Sequence, residues 1–351
     1  MNRPRFSVPA ASPPTPAPTP PPRAMTGWRA RLAQDPIPKL LREGTPSVVA
    51  RVRRDLIDDD EAPTVADIWA YKEVQAFAKK MAKTGSLPAK AAEKAMGPAK
   101  FANAVAAIKA IDKLAEYGVR ADEGPKDTAL HKAADFLLAS QAEDGGIGDL
   151  TLGETPEDVG KMPAIHFQGW ALSALCRSGF DDDPRVEHGF AFLLANRQND
   201  GGWAWRGVRT DSPARPSSHL ITGMVLRAFA TSKKRKTSRE ARRAAELLAT
   251  RFLQPDRYPD RKDPKFWEDI SEPRTFIDVA DALDSVTSVG LGKENSGVRT
   301  AEAYLRGRQA EDGFWYPGPS GKVVVADLNE EEREAAVSLT LRVLVMLRRI
   351  N

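Results

Sequence analysis

The chain has 351 residues, of which 41% are hydrophobic and 28% charged, and its 52 Lys and Arg against 48 Asp and Glu give a formal net charge of +4. A single cysteine excludes an internal disulfide framework and any multi-cysteine zinc or iron–sulfur site. The sequence shows neither an apolar run of transmembrane length nor a signal-peptide pattern, so we expect a cytoplasmic protein. A charge of +4 spread over this length is too weak to indicate nucleic-acid binding.

The first 24 residues form a proline-rich tail. They include nine prolines and almost no large apolar side chains. Proline removes backbone donors and fixes φ, and the segment lacks apolar surface to pack, so we expect residues 1–24 to be disordered. From Trp28 onward the composition favours helices, and we expect an N-terminal helical segment over residues 25–97.

An internal repeat dominates the rest of the chain. Three segments share an apolar helical run followed by a glutamine and an Asp-Gly step: 136–147, 192–203 and 304–315. With a degenerate copy at Gln254, the glutamines fall at positions 141, 198, 254 and 309, so each interval differs from the next by a single residue. Such regular spacing is typical of a repeat architecture.

A second register marks the other helix of each repeat. Gly118, Gly179 and Gly290 each follow an apolar helical run, at the position where a left-handed residue commonly ends a helix. Each repeat is therefore a helical hairpin, and four hairpins cover roughly 98–141, 164–198, 217–254 and 274–309, with one further helix near the C-terminus. Hairpins of this kind must stack to bury their apolar faces. We predict an all-α ring of about five to six hairpins over residues 98–351, and an open solenoid is the alternative.

The glutamine-to-tryptophan segments resemble the QW motifs of squalene and oxidosqualene cyclases, and the hairpin pattern resembles the α/α-toroid superfamily that also includes protein prenyltransferase β subunits. The resemblance implies that Gln198, Trp203, Gln309 and Trp315 are structural and that an apolar isoprenoid or lipid binds centrally. The catalytic signatures differ. The acidic runs 58–60 and 181–183 do not fit the cyclase DxDD motif, and Cys176 lacks the surroundings of the prenyltransferase zinc site.

The first helix of the fourth hairpin carries the candidate acids. At 100° per residue, Asp278, Asp281 and Asp284 fall opposite its apolar face. Three carboxylates in a confined site repel one another when all are ionised, so we expect the pKa of at least one of them to be raised. A protonated carboxylic acid is what alkene protonation requires. We therefore predict Asp278 and Asp281 as catalytic acids and Asp284 as a ligand-binding residue, and an acidic face turned to water is the alternative.

The corresponding helix of the second hairpin places His166, Trp170 and Ser173 on one stripe. Trp170 is level with Asp281 and Ser173 is level with Asp284, since the two pairs are separated by equal stretches of sequence. We predict these three residues, together with His219 at the start of the next repeat, as ligand-binding residues. Trp170 stabilises a bound cation through its π face or fills the ring. No HxxxH or HxH spacing indicates a metal, and we expect neither a metal nor a cofactor.

Two functions are compatible with this sequence. The first is an isoprenoid- or lipid-handling toroid, acting by metal-independent acid catalysis if it is an enzyme. The second is a non-catalytic helical-repeat scaffold that binds a protein or peptide. An apolar pocket with aromatic walls and a buried acid favours the first, and a filled or polar centre favours the second. The basic run 233–243 has no interleaved aromatic residues and indicates a solvated connection rather than a nucleic-acid site.

Overall fold

The computed structural model describes residues 27–81, 85–152, 162–204, 217–256, 262–272, 275–319 and 325–351. The predicted tail, residues 1–24, lies outside these ranges. The predicted all-α class is confirmed. The β-structure of the described residues is limited to a two-residue antiparallel pair, β1 (Thr151–Leu152) with β2 (Met162–Pro163), and two isolated bridges. The helices, in chain order, are α1 (Ile37–Glu43), α2 (Pro46–Leu56), α3 (Val65–Trp69), α4 (Lys72–Met81), α5 (Ala91–Lys94), α6 (Ala99–Tyr117), α7 (Ala129–Leu138), α8 (Ile165–Arg177), α9 (Pro184–Ala195), α10 (His219–Thr231), α11 (Arg239–Ala249), α12 (Val279–Ser288), α13 (Ser296–Gly307) and α14 (Glu330–Ile350).

Six helices form a closed inner ring. Each of these helices contacts the next in the order α2, α6, α8, α10, α12 and α14, and α14 in turn contacts α2. Helices α7, α9, α11 and α13 pack outside their inner partners α6, α8, α10 and α12. The fold is therefore an α/α toroid, and the ring closes rather than opening into a solenoid.

The N-terminal segment completes this ring. A 3₁₀ turn at Gly27–Arg31 contacts α14, so an early segment supplies the partner that the last helix lacks. The Gln309 side chain accepts a hydrogen bond from the Ala33 amide at 2.8 Å and donates to the Gln34 carbonyl at 2.6 Å. Lys39 forms an ion pair with Asp312 at 3.0 Å. The last repeat is thus joined directly to residues 33–39, near the start of the part of the chain that the structure describes.

Inner helices are more completely buried than outer helices, because an inner helix packs against the two adjacent inner helices and against an outer helix. Every residue of α8 from Ile165 to Cys176 is buried. In α11 the buried residues form one stripe at helical spacing: Ala241, Ala244, Ala245, Leu248 and Ala249. A stripe of this kind is the pattern of a helix with one face on the core and the other in water.

The repeated tryptophans fix the loops to the helices that precede them. The Trp203 indole donates to the Leu193 carbonyl at 2.6 Å, and the Trp315 indole donates to the Leu305 carbonyl at 2.7 Å. The Gln141 side chain donates to a carbonyl at the start of α9. These side chains bond main-chain groups of the ring and take a structural role, as the resemblance implies.

The predicted helix ends are also present. Gly118 and Gly179 follow inner helices with φ values of 94° and 87°, a left-handed conformation that favours glycine. At the other ends, Asp183 caps α9 by accepting from the Arg185 amide, and Asp278 caps α12 by accepting from the Asp281 amide. The acidic run 181–183 therefore contributes a helix cap.

Candidate functional site

A cavity of about 150 Å³ lies between the inner helices, and charged side chains line most of it. Its walls come from α2, α6, α8, α12 and α14, together with the loop before α12. The lining residues are Arg51, Glu116, Arg177, Glu272, Asp284, Ser338, Arg342, Val345 and Arg349. This cavity differs from the predicted apolar pocket, since none of its lining side chains is aromatic.

A layer of polar side chains crosses five successive inner helices beside this cavity. We call Asp112, Trp170, Arg227, Asp281 and Arg342 the charged layer. Each member follows the one before it by about the length of one repeat. All five residues are buried. The inner ring therefore carries compensating charges at one level.

Asp281, one of the two predicted acids, lies within this layer as an ion-pair partner. Its Oδ2 accepts from Arg227 Nη1 at 3.0 Å, and its Oδ1 lies 3.6 Å from Arg342 Nη1. Arg342 also pairs with Glu272 at 3.0 Å. Two neighbouring helices thus supply a cation to this carboxylate, which is the arrangement of a buried salt bridge.

Asp278, the other predicted acid, is the N-terminal cap of α12. Besides the Asp281 amide at 2.9 Å, it accepts from the Ser271 amide at 2.8 Å and the Ser271 hydroxyl at 3.1 Å. Complete burial raises the pKa of the Asp278 carboxyl, in the direction that an acid catalyst needs. The carboxyl nevertheless does not line the described cavity.

Trp170 contacts the protein's own charges on both its edge and its face. The indole Nε1 donates to Asp112 Oδ2 at 2.5 Å, and Arg177 pairs with the same carboxylate at 2.8 Å. The Arg227 guanidinium carbon lies 5.9 Å from the ring centroid. Trp170 and Asp281 therefore share a neighbour, as their common register indicates, and that neighbour is an arginine.

The other predicted ligand residues do not converge on one point. His166 is buried, with its ring 4.4 Å from that of Phe167. The Ser173 hydroxyl is 3.5 Å from the hydroxyl of Thr231. Asp284 does line the cavity, where it pairs with Arg349 at 3.0 Å.

His219 lies at the first position of α10, away from the cavity lining. Its Nε2 is 3.0 Å from an Arg251 guanidinium nitrogen, and its Nδ1 is 3.9 Å from an Asp256 oxygen. Burial lowers the pKa of His219 to about 4. A neutral imidazole held in this way supports the start of the helix.

Cys176 is buried and donates its thiol to Asp181 at 3.2 Å, and burial raises its pKa well above the usual value. Over the part of the chain that the structure describes, no three His, Cys, Asp or Glu side chains are grouped to hold a metal ion.

The basic run 233–243 is largely compensated by acids. Four of its seven basic side chains pair with carboxylates: Lys233, Lys234, Arg235 and Arg242. Separately, no helix in the described ranges is long and apolar enough to cross a membrane.

The sequence analysis missed Asp112, Arg227 and Arg342, although a usable signal was present. Arg227 is the only charged residue of α10 apart from its first histidine, and it lies one repeat after Trp170. The glycine register gives no such signal for Asp112, because it sets Asp112 level with Ser173, each lying six residues before its glycine.

Comparison with known proteins places the sequence similarity in the middle of the chain. Residues 106–210 match the squalene-hopene cyclase C-terminal domain family. A squalene–hopene cyclase of Bradyrhizobium diazoefficiens is 36% identical over 89 residues, which is 24% of this chain and 13% of the relative. The chain thus matches only a small part of that protein's length.

Two solved structures resemble the chain at low sequence identity. The type II terpene cyclase MstE from Scytonema, in its apo form, is 13% identical with a TM-score of 0.41, over 89% of this chain and 98% of that one. A protein from Actinoplanes is 16% identical with a TM-score of 0.28, over 63% and 83% of the two chains. The fold defines an α/α toroid. Within that class, the resemblance to the squalene cyclase-like superfamily is confirmed by the match over residues 106–210.

Proposed function

We propose that this chain is a non-catalytic toroidal binding protein whose ring centre accepts a small polar ligand. The supporting observation is the lining of the central cavity, where four arginines and three carboxylates face about 150 Å³ of space. Pockets for drug-sized ligands usually enclose about 300–1,000 Å³ and are mostly apolar. A long isoprenoid fits neither the size nor the polarity of this cavity.

The two predicted acids support the same proposal. Acid catalysis of cyclisation needs a carboxylic acid in contact with the substrate. Asp281 is committed to Arg227 and Arg342, and the oxygens of Asp278 accept three hydrogen bonds from Ser271 and the Asp281 amide. The oxygens of both carboxyl groups thus interact with other groups of the protein.

The second candidate is isoprenoid or lipid handling with Asp278 as the acid. It is favoured by the family match over residues 106–210 and by the raised pKa of the Asp278 carboxyl. In this alternative, Trp170 forms an aromatic wall of the ligand site and His166 is a ligand-binding residue, as predicted from the sequence.

Incubating the full-length chain with squalene and with geranylgeranyl diphosphate, followed by gas chromatography and mass spectrometry, separates the two candidates. We expect no cyclic product from the unmodified chain. A cyclic product that Asp278→Asn abolishes would overturn the proposal, provided that the variant folds. Asp183→Asn is the matched control, because Asp183 also caps a helix and lies outside the cavity.

A further inference from the structure

We propose that the ligand of the central cavity is a compact oxyanion that carries carboxylate or phosphate groups. This inference rests on the proposed function and specifies its ligand class. Three helices bring the guanidinium groups of Arg51, Arg177, Arg342 and Arg349 to one cavity. Arginine is suited to planar oxyanions because its rigid fork presents five N–H donors.

Two buried arginines, Arg342 and Arg227, have N–H donors that the neighbouring acids do not use. Arg342 pairs with Glu272 and lies near Asp281, yet its Nε and Nη1 make no hydrogen bond within the described ranges, and its side chain is only 8% exposed. Arg227, the next cation of the charged layer, has the same surplus at Nε and Nη2. A buried donor without an acceptor is costly, so this layer favours additional acceptor oxygens.

The carboxylates of the cavity are already neutralised. Glu272 pairs with Arg342 at 3.0 Å, and Asp284 pairs with Arg349 at 3.0 Å. Glu116 lies 3.8 Å from the Lys113 ammonium group. An entering anion therefore meets acids that are each close to a cation, together with Arg342, whose Nε and Nη1 make no hydrogen bond with the residues that the structure describes.

The position and size of the cavity further restrict the classes of ligand that it can bind. Arg177 and Arg349 belong to the last turns of α8 and α14, where the helix dipole is negative, so these arginines must outweigh the dipole for an anion to bind. The volume holds on the order of ten water molecules. A small polycarboxylate or a phosphate fits this space, and a long-chain ligand does not.

Arg349→Gln is the informative variant because Arg349 lines the cavity and its side chain is 33% exposed, so the fold tolerates the change. Arg348→Gln is the matched control. Arg348 is the preceding residue of the same helix, but it pairs with Asp58 and does not line the cavity. Circular dichroism verifies that both variants fold.

Isothermal titration calorimetry of the full-length chain at constant ionic strength, with citrate in one arm and inorganic phosphate in the other, measures binding. We expect at least one anion to bind, Arg349→Gln to weaken it about tenfold, and Arg348→Gln to leave it unchanged. Binding of citrate alone assigns a carboxylate ligand, and binding of phosphate alone assigns a phosphate ligand.

The inference is overturned if neither anion binds at millimolar concentration, or if Arg349→Gln and Arg348→Gln bind alike. Either result leaves the proposed function standing, because that proposal is tested by the absence of cyclic products. Conversely, a cyclic product that depends on Asp278 would overturn the proposed function whatever the anion titrations show.

Discussion

Gln309 joins the last repeat to the N-terminal segment, and its substitution tests the contribution of this contact. The side chain makes three hydrogen bonds: it accepts from the Ala33 amide and donates to the carbonyls of Gln34 and Gly313. The two partners at the N-terminus are 276 and 275 residues away in sequence. Gln309→Ala removes all three bonds and with them a direct link between the last repeat and residues 33–34.

The expected cost follows from the exposure of these bonds. A typical intramolecular hydrogen bond contributes about 0.5–1.5 kcal/mol, and bonds at a partly exposed site belong near the lower limit. We therefore expect Gln309→Ala to lower the free energy of unfolding by about 1–2 kcal/mol in urea titrations. Hydrogen exchange should accelerate at the Ala33 amide, which loses its acceptor.

Gln254→Ala is the control for this experiment. Gln254 occupies the same position in the degenerate repeat, and it is exposed. We expect a change within about 0.5 kcal/mol, as for ordinary surface substitutions. Equal effects of the two substitutions, or unchanged exchange at Ala33, would show that Gln309 does not stabilise the contact between the last repeat and the N-terminal segment.

Two further predictions concern buried charge. Asp281→Asn leaves Arg227 and Arg342 without their shared carboxylate, so urea titrations should show a free energy of unfolding lower by about 3–5 kcal/mol. Asp284→Asn is the control, because Asp284 belongs to a partly exposed pair and its substitution should cost less than about 1 kcal/mol. Similar losses in the two variants would contradict the buried ion pair. The second prediction concerns His219, whose pKa is lowered to about 4 in the folded chain. Between pH 6.5 and 4 the unfolded chain binds a proton at this histidine that the folded chain does not. The free energy of unfolding therefore decreases as the pH is lowered through that window. From pH 7 to 5 this loss is about 2 kcal/mol, and it should disappear in His219→Gln but persist in His188→Gln, where the histidine is exposed; an unaltered pH dependence in His219→Gln would refute this assignment.

The sequence by itself determined the repeat, and with it the class of fold. The spacing of Gln141, Gln198, Gln254 and Gln309 depends on the length of a helical hairpin, which is a local property of the chain. The same is true of the helix ends at Gly118 and Gly179, because a left-handed residue after a helix is a local requirement. Even the level shared by Trp170 and Asp281 followed from counting residues.

Only the tertiary structure decided what the candidate acids do. The spacing of Asp278, Asp281 and Asp284 is compatible with a protonated acid, a solvated face or an ion-pair network, since the helix that carries them is the same in each case. The outcome depends on side chains that neighbouring helices supply, here Arg227 from α10 and Arg342 from α14. A carboxylate takes its charge state and partners from groups within a few ångströms, and ring closure brings those groups together from positions about one repeat apart.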